Sequence, residues 1–234
     1  WPSFFSPVEG AITLHEDNAH GMRRIEVRSA SSGIHLGHYG RDLRPPSTLE
    51  KLLYRLLAED LPGRVRLSSI EPMEISDELL GLITRSGGFI CRHLHIPVQS
   101  GSDRVLERMG RPYRGGDVEK ALSRVKREIP GVGLGCDVIC GFPGETDEDF
   151  ALTEEIVAEL RIPFVHAFPY SPRPGTMASR LRDDVPAGVK KSRVLRMRSL
   201  GERNRGEFAG EHAGSSLVVA LESRTEGGSV WGLA

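Results

Sequence analysis

Four side chains in this sequence could do chemistry if the fold brings them together: His93, His95, Asp137 and His166. Imidazoles and carboxylates move protons near neutral pH and bind divalent metals. His93 and His95 stand two apart, a spacing that suits a metal only with a third ligand nearby. The sequence shows none, so no metal is assigned. Asp137 lies in the stretch GLGCDVICGFPGETDEDF, flanked by Cys136 and Cys140. Two thiols four apart raise the question of half a metal site, with buried small hydrophobes as the simpler alternative. Behind them, Asp147, Glu148 and Asp149 fit the first turn of a helix capped by Thr146, where acids complement the helix dipole. They would repel phosphate, which argues against a phosphate cradle there. The loop glycines suit close approach of an adenine- or amino-acid-like ligand instead.

Positioning these groups is a matter of strand alternation. In GLGCDVIC, Leu134, Cys136, Val138 and Cys140 share an apolar face, and Gly135, Asp137 and Ile139 share the other. In RHLHIP, Leu94 and Ile96 oppose His93 and His95; in FVHAF, Val165 and Ala167 oppose Phe164, His166 and Phe168. If the apolar faces meet helices, one interior receives Arg66, Ser68, His93, His95, Asp137 and His166. That is too polar for a plain packed core. It is either a ligand site or a hydrogen-bonded network with ordered water. Polar loops close the strands: Gln99 and Ser100, Gly141 to Glu145, and Tyr170 and Ser171.

The strands are expected near residues 24, 65, 94, 134 and 164. Helices lie between them, from Ser47 to Asp60 with Ser47 and Glu50 as a capping box, from Ser76, after Ser102, after Asp117, and from Thr146. Alternation at βα spacing predicts an α/β protein with a parallel sheet. No glycine-rich dinucleotide fingerprint follows any strand, and fewer than eight units are present, so a partial TIM-like barrel is expected. A basic helix from about Val189 to Glu207 offers either a solvated face or contacts to a phosphate backbone. The net charge of -1 excludes global attraction to nucleic acid or membrane surfaces. No apolar run reaches the roughly 18 residues a membrane span needs, so no membrane partner is expected. Three cysteines do not make a disulfide framework and point to a reducing cytoplasm. The start at Trp1 is read as that of a fragment or processed form.

The strings GIHLGHYGRDL, RVRLSSIEP, CRHLHIPVQSGSDRVLERMGRPY, GCDVICGFPGETDEDF and AFPYSPRPGTMASRL follow one another from residue 33 onward. In order and spacing they resemble the radical-SAM methylthiotransferases, most closely the type that acts on threonylcarbamoyladenosine beside the tRNA anticodon. The resemblance implies a truncated radical-SAM partial barrel over 33–212 and the start of a small C-terminal β domain of the TRAM type over 213–234. Residues 1–32 are unassigned. It implies S-adenosylmethionine and tRNA as ligands, two 4Fe-4S clusters as cofactors, and a cytoplasmic enzyme. Residue by residue, it points to Gln99, Ser100, Asp137, Gly141 and Tyr170 for S-adenosylmethionine, and to Arg104, Arg111 and Arg173 for the substrate.

The family's C-x3-C-x2-C cluster loop is absent, and Cys136 and Cys140 match only its first two positions, on a different strand. With no thiolates to hold iron, the chain is not expected to carry out radical chemistry alone. The expected function is therefore a fragment or divergent form of a tRNA methylthiotransferase. The alternatives are a non-catalytic remnant that binds tRNA or S-adenosylmethionine, and an unrelated barrel hydrolase using the histidines and Asp137.

Overall fold

Two kinds of sheet form in this chain, and connection length separates them. In a computed structural model, residues 12–17, 24–29, 35–38, 48–58, 64–217, 220–226 and 229–233 are described. Strands β1 (Ile12–Asp17), β2 (Arg24–Ser29) and β3 (His35–His38) pair antiparallel in the order β1-β2-β3. The links from Asp17 to Arg24 and from Ser29 to His35 are shorter than the dozen or so residues a parallel crossover needs. The strand expected near residue 24 is thus present, but in an antiparallel meander and not in the barrel sheet.

Helices α1 (Leu49–Ala58) and α2 (Asp77–Arg85) come next. The start of α1 corrects one expectation. Lys51 N donates to Thr48 Oγ1, so Thr48 is the capping side chain, while Ser47 and the Pro62-Gly63 stop lie outside the described residues. Glu50 instead accepts a 2.6 Å hydrogen bond from Ser76, the residue whose hydroxyl caps α2. The strand expected near residue 65 shrinks to a single parallel bridge between Val65 and Ile90, and the next backbone bond, Ile70 N to His95 O, comes only five residues on.

The parallel sheet consists of β4 (His93–His95), β5 (Gly133–Cys140) and β6 (Phe164–Pro169), in the order β4-β5-β6. Helices α3 (Asp103–Arg108) and α4 (Gly115–Glu128) connect the first pair, and α5 (Asp147–Glu159) the second. Helix α6 (Ala187–Glu211) packs back on β6. This α/β arrangement is a partial barrel with one face helix-covered.

On that face Leu134, Cys136, Val138 and Cys140 of β5 are fully buried, as alternation predicts. They join Leu94, Leu122, Phe150, Val157 and Met197 in one core. Each such aliphatic side chain contributes about 1.5–3 kcal/mol of burial. The basic residues of α6 divide: Lys191, Arg196, Arg198, Arg203 and Arg205 are exposed, as a solvated face requires, while Lys190 and Arg193 are buried within its packed side. Beyond α6, β7 (Ala220–Glu226) and β8 (Ser229–Leu233) form an antiparallel hairpin, in keeping with an all-β continuation. Among the described residues no helix is long and apolar enough to cross a membrane.

Candidate functional site

Register decides which polar residues of the uncovered face meet. His95 stands opposite Gly135, and Asp137 opposite His166. Because neighbouring residues of paired strands point the same way, the His95, Asp137 and His166 side chains converge. His95 Nε2 lies 3.1 Å from Asp137 Oδ2, and His166 Nδ1 lies 3.5 Å from Asp137 Oδ1. The two imidazole centroids are 5.2 Å apart.

Gly135 makes this possible: a Cβ there would sit 2.6 Å from His95 Nδ1. Exposure rises across the trio, from 13% for the His95 side chain to 28% for Asp137 and 59% for His166. The cluster is therefore rooted in the sheet and open to solvent on one side. Burial alone would raise the Asp137 carboxyl. The hydrogen bond and charge of His95, then His166, outweigh it and hold Asp137 below the ordinary carboxylate range. The carboxylate is ionised at neutral pH.

His93 does not join this group. Its Nε2 lies 2.9 Å from an Arg66 guanidinium nitrogen, and burial, then the Arg66 charge, push it down to about 4. It is neutral and built into the sheet edge. The third ligand that the sequence did not reveal for His95 is not near His93 in the chain but across β5, at Asp137 and His166.

The other expected cofactor residues sit at the strand ends, each with contacts inside the fold. Gln99 adopts φ 65° and continues the sheet, its N–H donating to Asp137 O and its carbonyl accepting from Ile139 N. Ser100 is buried with its hydroxyl 3.4 Å from Thr153 Oγ1, and it accepts from Ser102 N. Gly141, at φ 76°, is covered by Lys190, whose Cγ would lie 2.4 Å from an added Cβ. The freedom at Gly141 thus serves helix packing, where the sequence suggested ligand approach. Tyr170 donates to Ala178 O at 3.0 Å and stacks edge-on against Phe142. Of the five, Asp137 alone presents a charged group to the open face.

The expected substrate arginines also divide. Arg104 pairs with Asp149 and donates to Gly144 O at 2.7 Å, and Arg111 pairs with Glu71 at 3.1 Å. Arg173 is exposed in the loop after β6.

A second cluster, buried at Arg193 and Glu145, went unnoticed in the sequence. Arg193 of α6 donates to Glu145 Oε2 and to Asp147 Oδ1, each at 2.7 Å, and Glu145 also accepts from Gly141 N at 2.6 Å. This locks the loop after β5 to α6. The only signal was an arginine on α6 at helical spacing from its apolar residues.

All three cysteines are buried and free. Burial pushes the Cys136 thiol far up and the Cys140 thiol up to about 12. Cys136 and Cys140 line the helix-covered face, where iron would have to displace core side chains. They do not fit a 4Fe-4S cluster.

Comparison with known proteins identifies the family. The chain is 40% identical over 192 residues to threonylcarbamoyladenosine tRNA methylthiotransferase MtaB of Bacillus subtilis, covering 82% of this chain and 42% of the relative. It is 45% identical over 165 residues to the MtaB of Thermotoga maritima, covering 70% and 37%. To the tRNA-2-methylthio-N(6)-dimethylallyladenosine synthase of Thermoanaerobacter pseudethanolicus it is 38% identical, covering 81% and 40%. The chain thus spans about two fifths of the length of these curated relatives. Among solved structures, the radical SAM enzyme coproporphyrinogen III oxidase (HemN) of Escherichia coli superposes with a TM-score of 0.51 at 26% identity, covering 64% of this chain and 36% of that one. Residues 16–157 match the Radical SAM superfamily, and the chain belongs to that superfamily.

Proposed function

We propose that this chain serves in methylthio transfer to tRNA, with threonylcarbamoyladenosine beside the anticodon as the modified base. The observation that carries this reading is the 45% identity over 165 residues to a protein named for that reaction. Two of the stretches that carry the resemblance, CRHLHIPVQSGSD and GCDVICGFPGETDEDF, lie along β4 and β5 and in the loops that follow them. Those are the strand ends at which barrel enzymes build their sites.

S-adenosylmethionine fits the open face in one respect. The Asp137 carboxylate offers an acceptor for the ligand's ammonium or hydroxyl groups, beside the backbone of Gln99. Gln99, Ser100, Gly141 and Tyr170 then act mainly by shaping the strand ends that surround it. Arg173 is the expected substrate arginine left on an exposed loop, where it can meet a phosphate. No C-x3-C-x2-C run is present to hold a 4Fe-4S cluster, so no step is assigned to this chain's residues through one.

Deleting the gene that encodes this chain and analysing bulk tRNA nucleosides by mass spectrometry tests the reading. The methylthio form of threonylcarbamoyladenosine should disappear, with the unthiolated nucleoside accumulating in its place. An unchanged methylthio profile would overturn the function. Selective loss from dimethylallyladenosine would keep the reaction and overturn the substrate.

A further inference from the structure

We propose that His95, Asp137 and His166 form a mononuclear site for a borderline divalent transition metal, of which Zn2+ is the reference ion. Ligand atoms, one each from His95, Asp137 and His166, lie within 4.8 Å of one another. Ligands about 2.0–2.1 Å from a tetrahedral ion are about 3.3 Å apart. The imidazole nitrogens lie at comparable distances from Asp137, but each from a different oxygen, His95 Nε2 3.1 Å from Oδ2 and His166 Nδ1 3.5 Å from Oδ1. Closing on one ion therefore takes either both carboxylate oxygens or a turn of the Asp137 carboxylate, with the two imidazoles already on either side of it.

Three strands hold it, and the backbone fixes each ligand's direction. His95 is seated over Gly135 with no room for a Cβ beneath it, and Asp137 and His166 are paired residues of β5 and β6. Two imidazoles and one carboxylate select Zn2+, Fe2+ or Co2+ over the oxygen-preferring Mg2+ and Ca2+. Exposure of His166 leaves the remaining coordination positions to water or to a ligand on the open face, the arrangement of reactive rather than structural sites. This site is separate from any iron–sulfur cluster, since it uses no cysteine. It also does not depend on the tRNA reading.

The test uses the full 234-residue chain without an affinity tag. Calorimetric titration with Zn2+ should show one ion per chain, unaffected by excess Mg2+. His95→Ala and His166→Ala should each weaken it at least tenfold, while His212→Ala, on the far end of α6, should not. In the unmutated chain, imidazole 15N resonances of two histidines, assigned to His95 and His166, should move on adding Zn2+. This readout stands even if a variant misfolds. Co2+ should give ligand-field bands without thiolate-to-cobalt charge transfer. Absence of binding, binding unchanged in both alanine variants, shifts at other histidines, or a thiolate charge-transfer band would each overturn the site.

Discussion

Replacing Arg193 with methionine tests whether the loop after β5 is held by a buried ion pair. Both partners are nearly sealed, the Arg193 side chain 5% exposed and that of Glu145 1%. Methionine fills much of the same volume but leaves the Glu145 carboxylate buried with only the Gly141 N–H as a strong partner. Removing one member of a buried pair costs about 3–5 kcal/mol. In a chain of this size that corresponds to a fall in Tm of about 6–20 °C. Urea unfolding followed by circular dichroism measures the loss.

The pH dependence sharpens the test. Burial, the leading cause, raises the Glu145 carboxyl against the Gly141 N–H and Arg193, which lower it. A carboxyl whose folded value is raised favours folding below its unfolded value of 4.5, and that contribution is lost as pH rises through the folded value. Deleting Arg193 raises it further, so the deficit of the variant should be largest at pH 7 and shrink toward pH 4.5 as Glu145 takes up a proton. Adding Glu145→Gln to Arg193→Met should recover about 2 kcal/mol, because the uncompensated charge is gone while an acceptor for Gly141 remains. A loss below about 1 kcal/mol, a deficit that does not change with pH, or additive effects in the double variant would refute the reasoning.

Two further outcomes follow from the same geometry. Burial alone would raise Asp149, but the contacts with Arg104, Ser102 and Thr146 outweigh it and hold the carboxyl well below the usual range. Its stabilisation is therefore present above the unfolded value of 3.8 and lost as pH falls. Asp149→Asn should cost about 1–3 kcal/mol at pH 7, a gap that narrows in urea titrations repeated at successively lower pH below 3.8 and is still partly present at pH 3; a gap that does not change with pH would contradict this. Cys136 and Cys140 should resist disulfide-exchange reagents at pH 8 until urea unfolds the chain, and anaerobic incubation with iron and sulfide should leave no stable cluster absorbance. Labelling in the native state, or a retained cluster, would show the thiols to be accessible.

What the sequence disclosed and what it hid divide along the line between local and non-local geometry. Alternation is local: each residue's side depends on its own strand. The buried face of Leu134, Cys136, Val138 and Cys140, and the open face of His95, Asp137 and His166, were therefore readable from one string at a time. The caps at Ser76, Ser102 and Thr146 were legible for the same reason, each hydroxyl accepting from an N–H three residues on. Strand identity is less local. RVRLSSI has strand composition, yet only Val65 finds a bridge, because a strand exists only where a neighbour offers a matching ladder.

Register is wholly non-local, and the site depends on it. Two histidines separated by two residues invite a shared ligand set, but His93 is taken by Arg66. The partner of His95 is fixed by Gly135 standing beside it and by Asp137 facing His166. A slip of one residue in β5 would turn Asp137 into the core and Cys136 onto the open face, exchanging a carboxylate between two imidazoles for a thiol. The carboxylate stays outward because Leu134, Cys136, Val138 and Cys140 would all lose their burial in such a slip, at about 1.5–3 kcal/mol for each large aliphatic side chain. The chemistry of the open face is thus set by the hydrophobic pattern of the covered one.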